Sequence, residues 1–250
     1  MKRIIAKILR LLNINIDFIG KPGTIRRPIC NMEFFLFDLK KRGLVCNHIL
    51  DLGANKSLWS REATKAYPSA AYYLIEPQEE MVSFLQEFCK EYQGSKYFIA
   101  GAGKKNEVLE LNVYDSLAGS TFMGDENSNT HVIGKRAVDV VSIDSLIETN
   151  QIPDTIELVK LDIQGFELEA LKGATKLFGK TEVFILETSM FKYYTGLPIF
   201  SEVVNFMLDK DYVVYDLPGY NRRPLDGALG QLDICFVKKD GFLRKNSSWD

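Results

Sequence analysis

Ile49-Leu-Asp-Leu-Gly-Ala-Asn55 opens as a buried strand and ends in a glycine turn, and the residues around it repeat that plan. Residues 57–67 read as a helix stopped by Pro68, and Ala71-Tyr-Tyr-Leu-Ile-Glu76 as a second strand. A helix over 79–92 follows, with Met81, Phe84, Leu85 and Phe88 on one face. Lys96–Ala100 is a third strand, Val108–Tyr114 an excursion, and the polar, glycine-rich residues 115–136 a long loop. Leu158-Val-Lys-Leu-Asp162 begins the second half, with a helix over Phe166–Phe178, a strand over Glu182–Glu187 and a helix over 200–210. Tyr212–Tyr215 and Asp233–Val237 close the sheet, separated by a turn rich in Pro, Gly, Tyr and Asn at 218–221.

Strands alternating with helices pair in parallel and carry the helices on both faces. Right-handed crossovers then give a doubly wound, mostly parallel, Rossmann-like α/β sheet whose ligands lie beyond the strands' carboxyl ends, where strand order reverses. That rule selects Asp51–Asn55, Glu76–Pro77, Ala100–Gly103 (with Gly101 and Ala102), Asp162–Gly165 and Glu187–Ser189.

The chain has 250 residues, 46% hydrophobic and 26% charged, a composition that excludes disorder, collagen and coiled coil. Thirty-one Lys and Arg face 33 Asp and Glu, so no global basic field speaks for nucleic acid. Cys30, Cys46, Cys89 and Cys235 are dispersed, without zinc spacing, and read as reduced thiols of a cytoplasmic protein. No apolar run is long enough to span a membrane. Residues 1–12 read as a basic amphipathic helix, which can rest on an anionic membrane surface or pack on its own domain or a partner subunit.

Gly53 lets the backbone approach a ligand closely. Glu76, 25 residues after Asp51 and at the second strand's exit, is placed to accept both hydroxyls of a ribose. A dinucleotide fingerprint would need glycines at 55 and 58, where Asn55 and Leu58 stand, and Asp51 would repel a pyrophosphate. S-adenosylmethionine fits better: it has the ribose, no phosphate, and two cationic centres that carboxylates attract. Asp162 is expected at the mouth of the central strand beside a transferable methyl, while Glu167 complements a helix dipole and Lys160 and Glu169 are solvated or structural.

Asp51–Asn55 with Ser60, and Leu158-Val-Lys-Leu-Asp-Ile-Gln-Gly-Phe-Glu-Leu-Glu-Ala-Leu-Lys-Gly-Ala174, resemble the two signature blocks of FkbM-type S-adenosylmethionine-dependent methyltransferases. Tyr194–Val203, Tyr215–Leu217, Arg222-Arg223, Asp226-Gly227 and Gln231–Asp233 resemble the tail of a bacterial subgroup associated with surface-glycan or secondary-metabolite biosynthesis. Ser57 departs from the family, which usually has glycine there. The resemblance implies a fold of the class I methyltransferase type over residues 46–250, with a helical extension over 1–45 packed on it.

It further implies O-methylation of a hydroxyl on a sugar, glycan or secondary metabolite. Asp51, Gly53, Ala54, Asn55, Ser60, Glu76, Pro77, Gly101, Ala102 and Asp162 are expected to hold the cofactor. Asp162 is the first candidate for the base, either taking the hydroxyl proton directly or holding a divalent metal; His131 is the second. Ser120, Thr121, Gln164, Glu187, Arg222, Arg223 and Asp226 are expected to meet the acceptor. A homo-oligomer is compatible with these readings. The competing readings are an inactive nucleoside-binding protein of the same fold and a nicotinamide-dependent oxidoreductase.

Overall fold

A computed structural model describes residues 30–124 and 132–248. His131 and residues 1–12 therefore lie outside the described residues. The described residues open with helix α1 (Met32–Lys41), begun by Asn31, whose side chain accepts the Phe34 N–H, and anchored by buried Phe35, Leu36 and Leu39. Strand β1 (His48–Leu52), helix α2 (Leu58–Ala66), strand β2 (Ala71–Glu76), helix α3 (Val82–Glu91) and strand β3 (Lys96–Ile99) follow in alternation. Phe84 of α3 is turned outward, unlike its expected companions Met81, Leu85 and Phe88.

Gly101–Ala102 does not extend β3. It forms strand β4, which pairs in a second, three-stranded sheet with β5 (Glu107–Tyr114) and β6 (Val132–Val141). Residues 132–136, expected in a loop, belong to β6, which pairs antiparallel with β5. Only Val138 and Val140 of β6 are buried, so its exposed half carries too little alternation to read as a strand.

Helix α4 (Ile143–Glu148) leads to β7 (Leu158–Leu161), helix α5 (Glu167–Lys172), β8 (Val183–Ser189), helix α6 (Phe200–Leu208), β9 (Tyr212–Arg222) and β10 (Leu229–Lys238). The helix expected over 166–178 stops at Lys172. A Cβ at Gly173 would lie 2.1 Å from the Gly103 carbonyl, and the Asp144 carboxylate takes the next free N–H groups, of Thr175 and Lys176. Residues 218–221 are strand rather than turn: β9 is the sheet's edge, where the absent N–H of Pro218 breaks no ladder.

The main sheet runs β3-β2-β1-β7-β8-β10-β9, parallel except where β10 pairs antiparallel with β8 and β9. Strand order reverses between β1 and β7. Alternation divides the core into two layers: Leu50, Leu52, Val159, Leu161, Phe184 and Leu186 face α5 and α6, while Ile49, Leu158, Ile185 and Cys235 face α1 to α3. On the second face, one step nearer the carboxyl ends, the same strands carry Asp51, Lys160, Glu187 and Asp233 in place of apolar residues, with Asp51 opposite Lys160 and Glu187 opposite Asp233 in register. A charged row at that height marks where the packed core stops.

Candidate functional site

Two loops meet above the reversal point. A Cβ at Gly53, which has φ +82°, would lie 1.9 Å from the Asp162 carbonyl oxygen, so the turns leaving β1 and β7 touch backbone to backbone. Further along the first turn, Asn55 and Ser57 also adopt left-handed φ, +46° and +57°. Position 57 is thus one that favours glycine on conformational grounds, and the buried Ser57 hydroxyl bonds back to the Lys56 carbonyl.

Beside this contact lies a first cleft of about 150 Å³, lined by Gly53, Asn55, Glu76, Pro77, Gln78, Gly101, Ala102, Ser120, Asp162, Gln164 and Glu187, with Ile75, Leu111 and Phe122 among its apolar walls. Glu76 is 3% exposed. Its Oε2 accepts the Asn55 N–H at 2.9 Å, and its Oε1 accepts the N–H and side-chain amide of Gln78, both at 3.1 Å. Burial lifts its pKa while these donors act against the lift. The Gln78 amide also donates to the Leu117 carbonyl and accepts from Ser120, tying Glu76 to the segment above it.

Asp51, on β1, and Ser60, on α2, are buried. Ser60 Oγ donates to Asp51 Oδ2 at 2.5 Å, and the carboxyl, 1% exposed, is lifted to about 6 by burial, with Ser60 and Lys160 opposing. Ala54 is buried with its N–H on the Ile75 carbonyl. All three, expected to hold the cofactor, are buried and do not line the cleft.

The ionisable centre stands at the ends of β7, β8 and β10. Lys160, expected to be solvated or structural, is 3% exposed and holds Asp162 at 3.1 Å and Asp233 at 3.3 Å. Its desolvation is outweighed, first by the Asp162 carboxylate and then by Asp233, so it stays cationic. Asp233 reaches Lys160 over Gly219, where a Cβ would collide with its carboxylate at 2.1 Å. Desolvation would raise Asp162, but Lys160 and hydrogen bonds from Glu187 and Gln164 hold it below the usual range. Glu187 goes the other way, raised by burial and by the neighbouring Asp162 charge. The pair therefore reads as ionised Asp162 beside protonated Glu187. Glu167, expected merely to face the helix dipole, is buried and accepts the N–H groups of Ile163 and Gly165, bracing the turn that presents Asp162.

No group of three or more His, Cys, Asp and Glu among the described residues could hold a metal ion. The Asp162 carboxylate faces an ammonium and an amide instead, which argues against the metal role considered for it.

A second cleft of about 280 Å³ lies beyond Gln164, lined by Ser189, Tyr193, Tyr194, Leu197, Asn221, Arg222, Arg223, Gly230 and Gln231 among others. Arg223 is already paired, donating to both Asp226 oxygens at 2.7 and 2.5 Å and lying 4.1 Å from the Phe191 ring centroid. Arg222 donates to the Gly227 carbonyl and stacks near Tyr220. Asp226 holds Arg223 without lining the cleft. Tyr193 Oη is buried without a hydrogen-bond partner, 2.9 Å from where a Cβ on Gly230 would stand. Ser120 and Glu187, expected toward the acceptor, line the first cleft, while Thr121 lines neither and donates to the Gln164 carbonyl.

Sequence reasoning missed Gln78, Lys160, Tyr193 and Gln231. Two of them carried a signal: Lys160, two residues before Asp162 on a strand, had to share that residue's face, and Gln231 lies in the tail block that resembles the family.

The profile of the methyltransferase FkbM domain matches residues 51–214. Similar solved structures include a precorrin-6y C5,15-methyltransferase from Geobacter metallireducens, 12% identical over 88% of this chain and 92% of that one, with a TM-score of 0.45. Another is the O-methyltransferase TomG from Streptomyces achromogenes, involved in tomaymycin synthesis and solved with S-adenosylmethionine, 11% identical over 93% and 87%, TM-score 0.46. No curated protein matches the chain significantly.

Proposed function

The chain belongs to the methyltransferase FkbM domain family, and from that premise we propose that it moves the methyl group of S-adenosylmethionine to a hydroxyl oxygen of a sugar, glycan or secondary metabolite. One observation carries the cofactor reading: among the described residues, the first cleft is lined by the carboxyl groups of Glu76 and Asp162, with protonated Glu187 beside them, and by no Lys or Arg. Such a lining attracts a nucleoside bearing cationic groups and repels a pyrophosphate. It favours S-adenosylmethionine over a nicotinamide dinucleotide.

In this reading Glu76 takes the ribose hydroxyls, the turn at Gly53–Asn55 follows the amino-acid portion, and Ile75, Ala102, Leu111 and Phe122 offer apolar surface to the base. Bound there, the sulfonium supplies an activated methyl group, so alignment accounts for most of the acceleration. Asp162, kept ionised by Lys160, takes the acceptor's hydroxyl proton. The second cleft, with its aromatic rings, its amides and the unpartnered Tyr193 hydroxyl, receives the acceptor. A cytoplasmic location belongs to the same proposal. Among the described residues, no helix is long and apolar enough to cross a membrane.

Calorimetric titration with S-adenosylmethionine, S-adenosylhomocysteine and NAD tests the cofactor, and methyl-labelled cofactor with a panel of nucleotide-activated sugars and glycans tests the acceptor. Binding of the two adenosyl compounds but not NAD is expected. NAD binding alone would return the oxidoreductase reading, and cofactor binding without transfer to any panel member would favour an inactive nucleoside-binding protein.

A further inference from the structure

Gln164 alone among the described residues lines both clefts. Its φ is +53° and that of Gly165 +98°, and a non-glycine residue persists in that region where its surroundings over-determine it. Here they do. Thr121 Oγ1 donates to the Gln164 carbonyl at 2.7 Å, and a Cβ at Gly165 would lie 2.2 Å from Leu197, so the turn has no room to relax. The side-chain amide then reaches across the seam, donating to Asp162 Oδ1 at 3.0 Å and Glu187 Oε2 at 3.1 Å. From the second cleft Gln231 donates to the same Glu187 oxygen at 2.9 Å. Both hydrogens of the Gln164 amide are spent on the Asp162 and Glu187 carboxyl groups, at the seam between the two clefts.

We infer that the Gln164 side chain is a partition between the clefts: it closes the passage through which a methyl group reaches the acceptor, and it limits the size of the group the first cleft accepts on sulfur. The inference rests on the S-adenosylmethionine reading. When the partition swings aside, Asp162 Oδ1 loses an amide donor and an acceptor hydroxyl takes its place. The hydroxyl oxygen then forms the new carbon–oxygen bond as the methyl–sulfur bond breaks, sulfur keeps the electron pair, and the hydroxyl proton passes to Asp162. Gln164 is a positioning residue in this scheme.

The test needs neither acceptor nor turnover. Titration calorimetry compares S-adenosylmethionine with its S-benzyl analogue on the full chain. Wild type should bind the benzyl analogue at least roughly tenfold more weakly, a modest steric discrimination. Gln164→Ala, which joins the two clefts, should bring the ratio close to one, whereas Gln164→Met keeps the bulk and should keep the discrimination. Gln164→Asn, one methylene shorter, is expected between them and serves if the alanine variant fails to fold. Equal binding by wild type, a wild-type ratio in the alanine and asparagine variants, or a methionine variant as permissive as alanine would overturn the partition. Failure of S-adenosylmethionine itself to bind wild type would instead refute the reading of the first cleft, and the partition with it.

Discussion

Replacing Glu76 by Gln keeps the side chain's shape and removes its charge, and the hydrogen bonds around it set the expected cost. A carboxylate offers about four acceptor positions, and three are filled by the Asn55 N–H and by the N–H and amide of Gln78. One position remains for a ribose hydroxyl, and the Gln78 amide is the donor a second hydroxyl would displace. Glutamine has one acceptor oxygen, so its NH₂ must face either Asn55 or Gln78, donor against donor. Leaving a buried donor unmatched costs about 1–3 kcal/mol of stability. Losing a charged acceptor for the ligand costs about 1.5–3 kcal/mol, or roughly 10- to 150-fold in Kd. Calorimetry with S-adenosylhomocysteine, alongside urea unfolding of the free protein, reads both effects. A Kd within about twofold of wild type, in a variant that has lost stability as expected, would refute the assignment of Glu76 to the ribose while leaving its hydrogen-bonded role intact.

Asp162→Asn should leave S-adenosylhomocysteine binding within a few-fold and lower turnover of a verified acceptor by roughly 10²-fold or more; wild-type turnover would remove Asp162 as the base. Gly53→Ala places a methyl 1.9 Å from the Asp162 carbonyl, so urea unfolding should show a loss above about 4 kcal/mol, and a wild-type midpoint would mean the two turns do not touch. Burial lifts the Glu167 carboxyl to about 7 from an ordinary 4.5, so between those values the folded chain holds a proton the unfolded chain has lost. Its contribution is full below pH 4.5 and declines as pH rises toward 7, by at most about 3 kcal/mol. Glu167→Gln should flatten that part of the stability–pH curve, and an unchanged slope would contradict the burial argument.

Residues 49–55 and 158–162 were legible as strands leading into turns because local patterning and glycine chemistry act within a few residues. From them followed the parallel sheet, the reversal point and the presence of Asp51, Glu76 and Asp162 at the strands' carboxyl ends. Strand alternation also contained, unread, the burial of Lys160: it shares a face with Asp162 by spacing alone. What it lacked was the partner, since Asp233 arrives from an antiparallel strand 73 residues later and needs Gly219 on the edge strand to make room. Residues 132–136 and 218–221 form strands where local pattern predicts loop and turn, for a related reason. A strand whose stability comes from pairing with a distant neighbour carries little local signal, and proline on an edge looks like proline in a turn. Charge state was beyond reach as well, because Glu187 and Asp162 are the same chemistry until burial and a shared ammonium separate them. The sequence by itself determined the mostly parallel α/β sheet and the strand ends at which the first cleft opens. Only the tertiary structure decided which carboxyl is ionised, which residues line the cleft and which are buried outside its lining, and that one glutamine divides two spaces, since each depends on contacts between segments the chain order keeps far apart.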